Sequence, residues 1–381
     1  MSQDIAGAAR NEGYHGFEQG PIRPPSEADS LLLRVTRNCP WNRCKFCPVY
    51  KGTEFSVRPK EHVKRDIDAV YEAVQHLQLR GAMASSQTAV REDRAAWAAA
   101  WHWVRCGMRQ VFLQDANSLV IDPGDLADIL RHLKGRFPEI KRVTSYARST
   151  TVARIEDEAL AALREAGLNR IHIGLESGAD AVLKMVHKGT TKKRQIIAGQ
   201  KVKKAGMELS EYYLPGLGGR RCWRENALET ASALNEINPD FIRIRTLAIP
   251  YHIPLYDDLA SGRFEKGTDV EMAEELALFL ESLHGITSVL KSDHILNLLP
   301  EVDGKLPEDR DRMLGVVRAF LDLDPPRQFL YRVGRRACIF SRLSDLENSF
   351  RLSQVEEICR SHQIGPENVD RVTDDLMRQF I

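Results

Sequence analysis

Short apolar runs alternate with amphipathic stretches from residue 31 to about residue 255. Apolar runs of this length predict buried strands, and stretches with apolar positions three and four residues apart predict helices. We predict strands at 31–36, 110–113, 142–146, 170–174, 207–214 and 241–247. Six strands that each precede a helix favour a parallel sheet with right-handed crossovers, either an open doubly wound sheet or a partial barrel.

The helices between these strands are marked by their spacing and by glycines at their ends. Gly167 and Gly206 follow two of them and are typical C-terminal caps. The predicted helices lie at 60–79, 80–103, 124–133, 155–166, 179–187, 191–205 and 223–237.

Two flanking regions do not follow this alternation. Residues 1–30 are rich in glycine and proline, which predicts an N-terminal extended arm on the domain of residues 31–255. Beyond Pro254 the regular alternation stops, and helical spacing at 271–283, 309–321, 354–361 and 370–381 predicts a mostly helical C-terminal extension over residues 256–381. A strand that turns polar is predicted at 287–297.

Composition excludes several classes of protein. The net charge of +1 gives no global signal for nucleic acid binding, and no apolar run approaches the ~20 residues that span a bilayer. The N-terminus lacks the basic start and apolar core of a signal peptide, so we expect a cytoplasmic protein. Its seven cysteines are then expected to be thiols or metal ligands rather than disulfides.

Three of these cysteines lie close together, directly after the first predicted strand. Cys39, Cys44 and Cys47 are separated by four and then two residues, and prolines keep their loop out of a helix. Structural zinc sites and closed iron–sulfur sites use four ligands, and neither His nor Cys lies between Cys47 and His62. A site with three thiolates leaves one metal position open. The ends of parallel strands carry active sites in such folds, so the loop is predicted to lie at the functional face.

This loop, with Phe46 before its last cysteine, resembles the cluster loop of the radical S-adenosylmethionine superfamily. In that superfamily three cysteines hold a [4Fe–4S] cluster, and S-adenosylmethionine chelates the fourth iron. The usual spacing is three residues and then two, so this chain carries one extra residue in a position where loop length costs little.

Three further segments support the resemblance. IHIGLESGADAVL at 171–183, YYLPGLGG at 212–219 and SYAR at 145–148 are similar to strand ends in the branch that contains the elongator catalytic subunit, the methylthiotransferases and the oxygen-independent coproporphyrinogen oxidases. The resemblance covers residues 31–255 and implies a fold of class α/β, a partial (β/α)6 TIM-type barrel with a mostly helical C-terminal extension. The usual Gly-Gly-Glu after the second strand is replaced by Gln114-Asp115-Ala116-Asn117.

The resemblance also implies site residues. Cys39, Cys44 and Cys47 are the expected cluster ligands. The expected residues of the S-adenosylmethionine site are Phe46, Asp115, Asn117, Arg148, Glu176, Ser177, Leu214 and Gly216. Asp293, His294 and Tyr251 are candidate catalytic residues, since a His beside an Asp in a loop can transfer a proton or bind a carboxylate. Glu176 as a helix cap and Ser292 or Asp293 as an N-cap are the structural alternatives.

The implied activity is reductive cleavage of S-adenosylmethionine to a 5′-deoxyadenosyl radical, which abstracts hydrogen from a small-molecule substrate. An electron donor such as a flavodoxin or ferredoxin is then expected. Two alternatives stay open: a radical enzyme that modifies RNA, which the basic helix at 191–205 would serve, and a non-catalytic iron–sulfur or zinc protein. The substrate does not follow from the sequence.

Overall fold

The structure, a computed structural model, describes residues 13–80 and 93–380, and these residues form two compact units. The first unit contains residues 13–42, 49–80, 93–173 and 200–209. The second contains residues 43–48, 174–199 and 210–380. The predicted domain boundaries at residues 30 and 255 stay predictions, and residues 1–12 of the predicted arm lie outside the described residues.

The first unit is built on parallel strands with helices between them. Its strands are β1 (Leu31–Arg34), β2 (Thr36–Arg37), β3 (Ser56–Val57), β4 (Gln110–Gln114), β5 (Arg142–Ala147) and β6 (Arg170–Glu176), whose last three residues belong to the second unit. Its helices are α1 (Lys60–Arg80), α2 (Arg94–Arg105), α3 (Pro123–Arg136), α4 (Ser149–Val152) and α5 (Asp157–Glu165).

The order β1–β4–β5–β6 is parallel throughout, and β2 pairs with β3 as a separate antiparallel ribbon. Leu31, Leu33, Val111 and Leu113 are at most 1% exposed. Burial of each such side chain contributes ~1.5–3 kcal/mol, which explains why these strands read as unbroken apolar runs. Residues 13–30 include a 3₁₀ turn at Pro25–Glu27, and the backbone of Gly20 bonds to the side chain of Gln114.

The second unit continues the alternation and adds the C-terminal helices. Its strands follow β6 in the order β7 (Glu208–Tyr213), β8 (Phe241–Ile244), β9 (Val289–Lys291) and β10 (Gly304–Lys305). Strands β7, β8 and β9 are parallel, and β10 is antiparallel to β9. Its helices are α6 (Asp180–Met185), α7 (Lys192–Lys204, which ends in the first unit), α8 (Gly219–Ile237), α9 (Pro254–Ala260), α10 (Asp269–Glu281), α11 (Arg310–Leu321), α12 (Pro325–Arg336), α13 (Ser349–Ser361) and α14 (Val369–Arg378).

The predicted fold class is confirmed: an α/β protein of the partial TIM-type barrel class with a mostly helical C-terminal extension. All six predicted strands are present within a few residues of their predicted bounds. Three helices, α4, α9 and α12, were not predicted, whereas β9 (Val289–Lys291) is the strand predicted at the start of residues 287–297. Residues 81–92 of the helix predicted at 80–103 lie outside the described residues. No helix in the described ranges has the length and apolar character needed to cross a bilayer.

Candidate cofactor site

The cysteine loop begins at a buried carboxylate in the first unit. Asp115 is 1% exposed, and its Oδ2 lies 2.7 Å from Nη2 of Arg34. The same oxygen accepts the Asn38 N–H at 2.9 Å, and Oδ1 accepts the Tyr50 hydroxyl at 3.3 Å. Asp115 therefore binds the start of the loop at Asn38 and its return at Tyr50. This places a predicted cofactor residue directly beneath the loop.

The extra residue between the first two cysteines is accommodated by asparagine backbone geometry. Asn38 and Asn42 have φ of 66° and 41°, a region that asparagine enters more readily than most residues. The Asn42 N–H donates to Cys39 Sγ at 3.4 Å, and its side-chain amide donates to the carbonyl groups of Tyr50 and Thr53. The lengthened segment is therefore a hydrogen-bonded turn around Cys39.

The neighbouring residue Trp41 contacts a second predicted cofactor residue. The guanidinium of Arg148 lies 4.9 Å from the centre of the Trp41 ring, a cation–π distance. Asn117 fixes the backbone beside Arg148, since its Oδ1 accepts the Arg148 N–H at 3.1 Å and its Nδ2 donates to Thr151 at 2.8 Å. Both ends of the Asn117 amide are thus used to hold the chain after β5.

Residues 43–48 of the loop belong to the second unit and are anchored there. The Lys45 N–H donates to the carbonyl of Val186 at 2.9 Å, and the Lys45 carbonyl accepts the Leu255 N–H at 3.1 Å. Its ammonium lies 2.7 Å from Asp258. Phe46 packs against a buried apolar cluster whose members come from α6 and its two ends and from the segments that follow β7 and β8. This part of the loop therefore has fixed neighbours on both sides.

The end of β6 presents Glu176 in an unusual backbone conformation. Its φ is 64°, and its Oε1 lies 3.1 Å from Nζ of Lys188. A Cβ at Gly174 would lie 2.3 Å from that oxygen, so glycine is required to leave room for the carboxylate. Ser177 is buried, and its hydroxyl accepts the Ala179 N–H at 3.0 Å before α6. Helix α6 has Ala179 as its N-cap and no side-chain cap hydrogen bond, so Glu176 does not act as the helix cap of the structural alternative.

The glycine-containing loop after β7 is held by one buried acid, Glu275 of α10. The Gly216 N–H donates to Glu275 at 2.9 Å, the Tyr213 hydroxyl at 2.7 Å, and the Asn226 amide at 2.6 Å. The Leu214 N–H donates to the carbonyl of Glu176 at 3.0 Å, which links this loop to the end of β6. Gly216 has φ of 88°, and a Cβ there would meet Met272 at 2.7 Å. At Gly216 this loop presents backbone atoms and no side chain.

Glu275 gives the fold a pH dependence. Burial raises its pKa to about 7, although hydrogen bonds from Tyr213, Gly216 and Asn226 act in the opposite direction. Because the folded pKa exceeds the unfolded value of 4.5, the native state holds the proton more tightly, and stability falls as pH rises from 4.5 to 7. Glutamine at this position does not titrate. In urea titrations, the free energy of unfolding of Glu275→Gln minus that of wild type should therefore be ~3 kcal/mol more positive at pH 8 than at pH 4.5. A difference between the two proteins that is the same at both pH values contradicts this.

The candidate catalytic residues occupy two different environments. Asp293 accepts from Arg243 and, at 2.9 Å, from Arg245. Burial and the neighbouring Arg245 lower the pKa of His294 to about 4, so this imidazole is neutral at pH 7. Tyr251 is 60% exposed, and its hydroxyl donates to Asp375 of α14 at 3.1 Å. Its ring also packs edge-on against Tyr256 of α9, with the ring centres 5.0 Å apart.

The three thiols of the loop can be compared with the ligands that the expected [4Fe–4S] cluster requires. Cys39, Cys44 and Cys47 are unoxidised and half-buried. Within the described ranges, no three His, Cys, Asp or Glu side chains are grouped around a single metal ion. In a [4Fe–4S] cluster each thiolate binds a different iron, so ligands are spread wider than around one ion. A loop with three thiols and no other metal-binding side chain fits such a cluster with one iron left open.

Sequence reasoning missed Lys188, Glu275, Arg243 and Arg245. Lys188 lies five residues beyond the segment 171–183, and its ion pair with Glu176 depends on the turn after α6. Glu275 lies in an apparently ordinary amphipathic helix, and nothing in the spacing marks it. The two arginines carried a visible signal, because they interrupt an otherwise apolar strand.

Comparison with protein families finds one match. Residues 33–221 match the family model described as the radical SAM superfamily. Comparison with curated protein sequences finds no match.

Several solved structures are similar to parts of the chain, each at 15% identity. An archaeal Methanocaldococcus infernus Elp3 with an N-terminal deletion has a TM-score of 0.42, covering 55% of this chain and 55% of that one. Methylornithine synthase (PylB) has a TM-score of 0.43, covering 70% and 66%. Coproporphyrinogen III oxidase (HemN) from Escherichia coli has a TM-score of 0.43, covering 69% and 53%. The chain thus spans about half to two thirds of the length of these proteins.

Proposed function

The chain belongs to the radical S-adenosylmethionine superfamily, and on this basis we propose that it uses S-adenosylmethionine cleavage to abstract a hydrogen atom from a small-molecule substrate. It is accordingly an enzyme with a [4Fe–4S] cluster and S-adenosylmethionine as cofactors, as predicted. The observation that carries the proposal is the loop of three thiols, without a fourth ligand, that follows β1.

A bound cluster would supply the electron for reductive cleavage of S-adenosylmethionine to methionine and a 5′-deoxyadenosyl radical, which would take a hydrogen atom from the substrate. The protein binds and orients these partners and excludes water. Cys39, Cys44 and Cys47 are proposed to hold the cluster. Asp115 holds the loop at Asn38 in the first unit, and Val186 and Leu255 hold it at Lys45 in the second.

The S-adenosylmethionine contacts remain proposals made residue by residue. In the first unit, Arg148 is proposed to bind the cofactor carboxylate, and Trp41 and Asn117 hold it in position. Asp115 is proposed to act mainly through the loop, because Arg34, Asn38 and Tyr50 already use its oxygens. Its proposed role is therefore to hold the cysteine loop rather than to contact the cofactor.

In the second unit, Glu176 is proposed to accept a hydrogen bond from the cofactor ribose, with Lys188 holding its carboxylate. The backbone of Leu214 and Gly216 is proposed to approach the adenine. Both assignments rest on the similarity of segments 171–183 and 212–219 to the strand ends of the branch named above and on their position at the ends of β6 and β7.

Gly174→Ala tests the assignment of Glu176. The added methyl would displace Glu176 and Lys188, which are flexible at their ends, so the fold should survive. We expect the dissociation constant for S-adenosylmethionine, measured by equilibrium dialysis on the reconstituted protein, to rise about tenfold, or ~1.4 kcal/mol. Gly315→Ala in α11 is the matched control, since its Cβ would meet no atom within 4 Å. Unchanged affinity in Gly174→Ala refutes the role of Glu176.

The charge pattern of α7 favours a small substrate over RNA. Lys192 pairs with Glu229 at 2.7 Å, and Lys201 and Lys204 pair with Asp157 at 3.2 and 2.6 Å. Basic side chains that already contact acids are less available to phosphates, whose binding depends on net positive charge. A reductant is also required, and a flavodoxin or ferredoxin is proposed.

The proposed function is tested by anaerobic reconstitution with iron and sulfide, followed by dithionite and S-adenosylmethionine. Absorption of a [4Fe–4S] cluster, about four irons per chain, and formation of 5′-deoxyadenosine are expected. Deuterium transfer from labelled candidate metabolites into 5′-deoxyadenosine then identifies the substrate. A chain that gains the cluster but forms no 5′-deoxyadenosine is a non-catalytic iron–sulfur protein.

A further inference from the structure

Two arginines lie at the end of strand β8: Arg243 within the strand and Arg245 directly after its last residue, Ile244. They are two residues apart, and their side chains reach the same acid, Asp293. Arg243 is 4% exposed, and the side chain of Arg245 is 15% exposed. Strands of this kind are normally apolar throughout, because neither face meets water. Two guanidinium groups here require a specific partner.

One acid serves both of them. Asp293 Oδ1 accepts from Arg245 Nη1 at 2.9 Å, and Oδ2 accepts from Arg243 Nη1. Arg243 Nε also donates to the Ser210 hydroxyl at 3.2 Å, and the Arg245 guanidinium lies 4.8 Å from the centre of the Tyr212 ring. Two cations and one anion leave one positive charge. The adjacent imidazole is neutral at pH 7 and does not change this sum.

The segment that carries Asp293 is fixed to the end of β8. The Asn297 amide donates to the carbonyl of Ile244 at 3.0 Å and accepts the Thr246 N–H at 3.1 Å. Asp293 is therefore held at the carboxyl end of the strand, the edge at which ligands bind in such sheets. The arginines lie at the same edge.

One buried guanidinium nitrogen of these two arginines makes no hydrogen bond. Arg245 Nη2 is buried and makes no hydrogen bond, although its sister Nη1 donates to Asp293 and to the carbonyl of Ile244. A buried donor without an acceptor is costly, and such groups in native proteins are normally satisfied. An oxyanion brought by a ligand would satisfy this one and would balance the remaining charge.

We propose that Arg243 and Arg245 bind a carboxylate of the substrate, so that the substrate is a small carboxylic acid. This rests on the proposed function and names its substrate class. A planar carboxylate matches the guanidinium fork, and its single charge matches the excess of one. Asp293 is then a positioning residue that spaces the two arginines. The low exposure of both arginines favours a small molecule over the phosphodiester backbone of RNA.

The test is binding of probe anions to the reconstituted holoenzyme by saturation-transfer NMR. The probes are acetate, butyrate, alanine and succinate, with dimethyl phosphate for the phosphodiester alternative and acetamide as the uncharged control. At least one carboxylate should bind saturably to wild type, at least tenfold more tightly than to Arg245→Gln or Arg243→Gln. Arg245→Lys, which keeps the charge without the fork, should bind with intermediate affinity.

Arg360→Gln is the matched control, because Arg360 in α13 has a side chain 72% exposed. It should bind as wild type does, and circular dichroism should confirm that all variants are folded. The proposal is overturned if no carboxylate binds, if binding is unchanged in both strand variants, or if acetamide or dimethyl phosphate binds more tightly than every carboxylate.

Failure of the proposed function is recognised separately. Formation of 5′-deoxyadenosine by wild type, with dithionite and no added substrate, reports on cofactor cleavage alone. Carboxylate binding without that product would contradict the proposed function and leave the anion site standing. The product without arginine-dependent carboxylate binding would contradict only the anion site.

Discussion

Cys44→Ala is expected to abolish the [4Fe–4S] cluster and, with it, all formation of 5′-deoxyadenosine. The loop holds three thiols, and no other His or Cys lies between Cys47 and His62 to replace one of them. Without the Cys44 thiolate, two of the four irons would have no protein ligand, and we expect the protein to lose the cluster. Iron and sulfide content after anaerobic desalting, together with visible absorption, measures the result.

Cys338→Ala is the control for this substitution. Cys338 is an exposed thiol far along the chain, in the turn after α12. Its replacement should leave iron content and absorption unchanged. Equal loss of iron in both variants would refute the assignment of the three ligands, and full retention in Cys44→Ala would require a different donor.

Asp269→Ala is expected to cause the largest loss of stability. Asp269 is 4% exposed at the start of α10 and accepts from Arg336 and Arg332, which are themselves buried. Removal of the carboxylate leaves the buried guanidinium of Arg336 without its counterion, whereas Arg332 keeps its ion pair with Asp370. Loss of one partner from a buried ion pair typically costs ~3–5 kcal/mol. The measurement is urea denaturation followed by circular dichroism at pH 7.

The ion pairs of Asp269 also predict how the loss of stability depends on pH. Burial alone would raise the pKa of Asp269, but Arg336 and Arg332 hold it at about 2, below its ordinary value of 3.8. A depressed folded pKa means that the carboxylate stabilises the fold fully above pH 3.8 and progressively less as pH falls towards 2. This contribution is about 2 kcal/mol.

Asp311→Ala in α11 is the matched control, because its side chain is 90% exposed beside Arg310. Its effect should stay within ~0.5 kcal/mol, as for most surface substitutions. If Asp269→Ala cost no more than Asp311→Ala at pH 7, the buried cluster would not be a determinant of stability.

The alternation of strands and helices was predictable because burial dictates it. A parallel strand covered on both faces must be apolar, and a helix that covers it must be amphipathic, so VFL at 111–113 and the spacing in α3 are readable without any structure. Helix bounds were off by a few residues, since caps depend on local hydrogen bonds such as that of Asp122 to the start of α3.

Two missed helices share one cause. Pro254 begins α9, and Pro325 begins α12. A proline in a sequence commonly indicates that a helix or strand ends. At the first position of a helix, however, it costs no hydrogen bond, and its φ suits the helix. For α12 the signal was present, since Asp324 precedes the proline and its side chain accepts the Arg327 N–H.

The site was only partly predictable, because contacts across distant segments decide its chemistry. The three cysteines were found because ligands close in sequence must be close in space. The partners of Asp115, at Arg34, Asn38 and Tyr50, could not be inferred, since they depend on how the loop returns to the sheet. Arg243 and Arg245 were passed over, although their period of two within an apolar strand marked them.

The anchoring of Lys45 has a consequence for how the enzyme should respond to oxygen. The backbone of Lys45 bonds to Val186 and Leu255, and its ammonium pairs with Asp258. None of these contacts uses a thiol, so they do not depend on cluster ligation. Many metal sites fold only when their metal binds. We expect instead that oxidative loss of the cluster leaves the segment between Cys44 and Cys47 in contact with these neighbours.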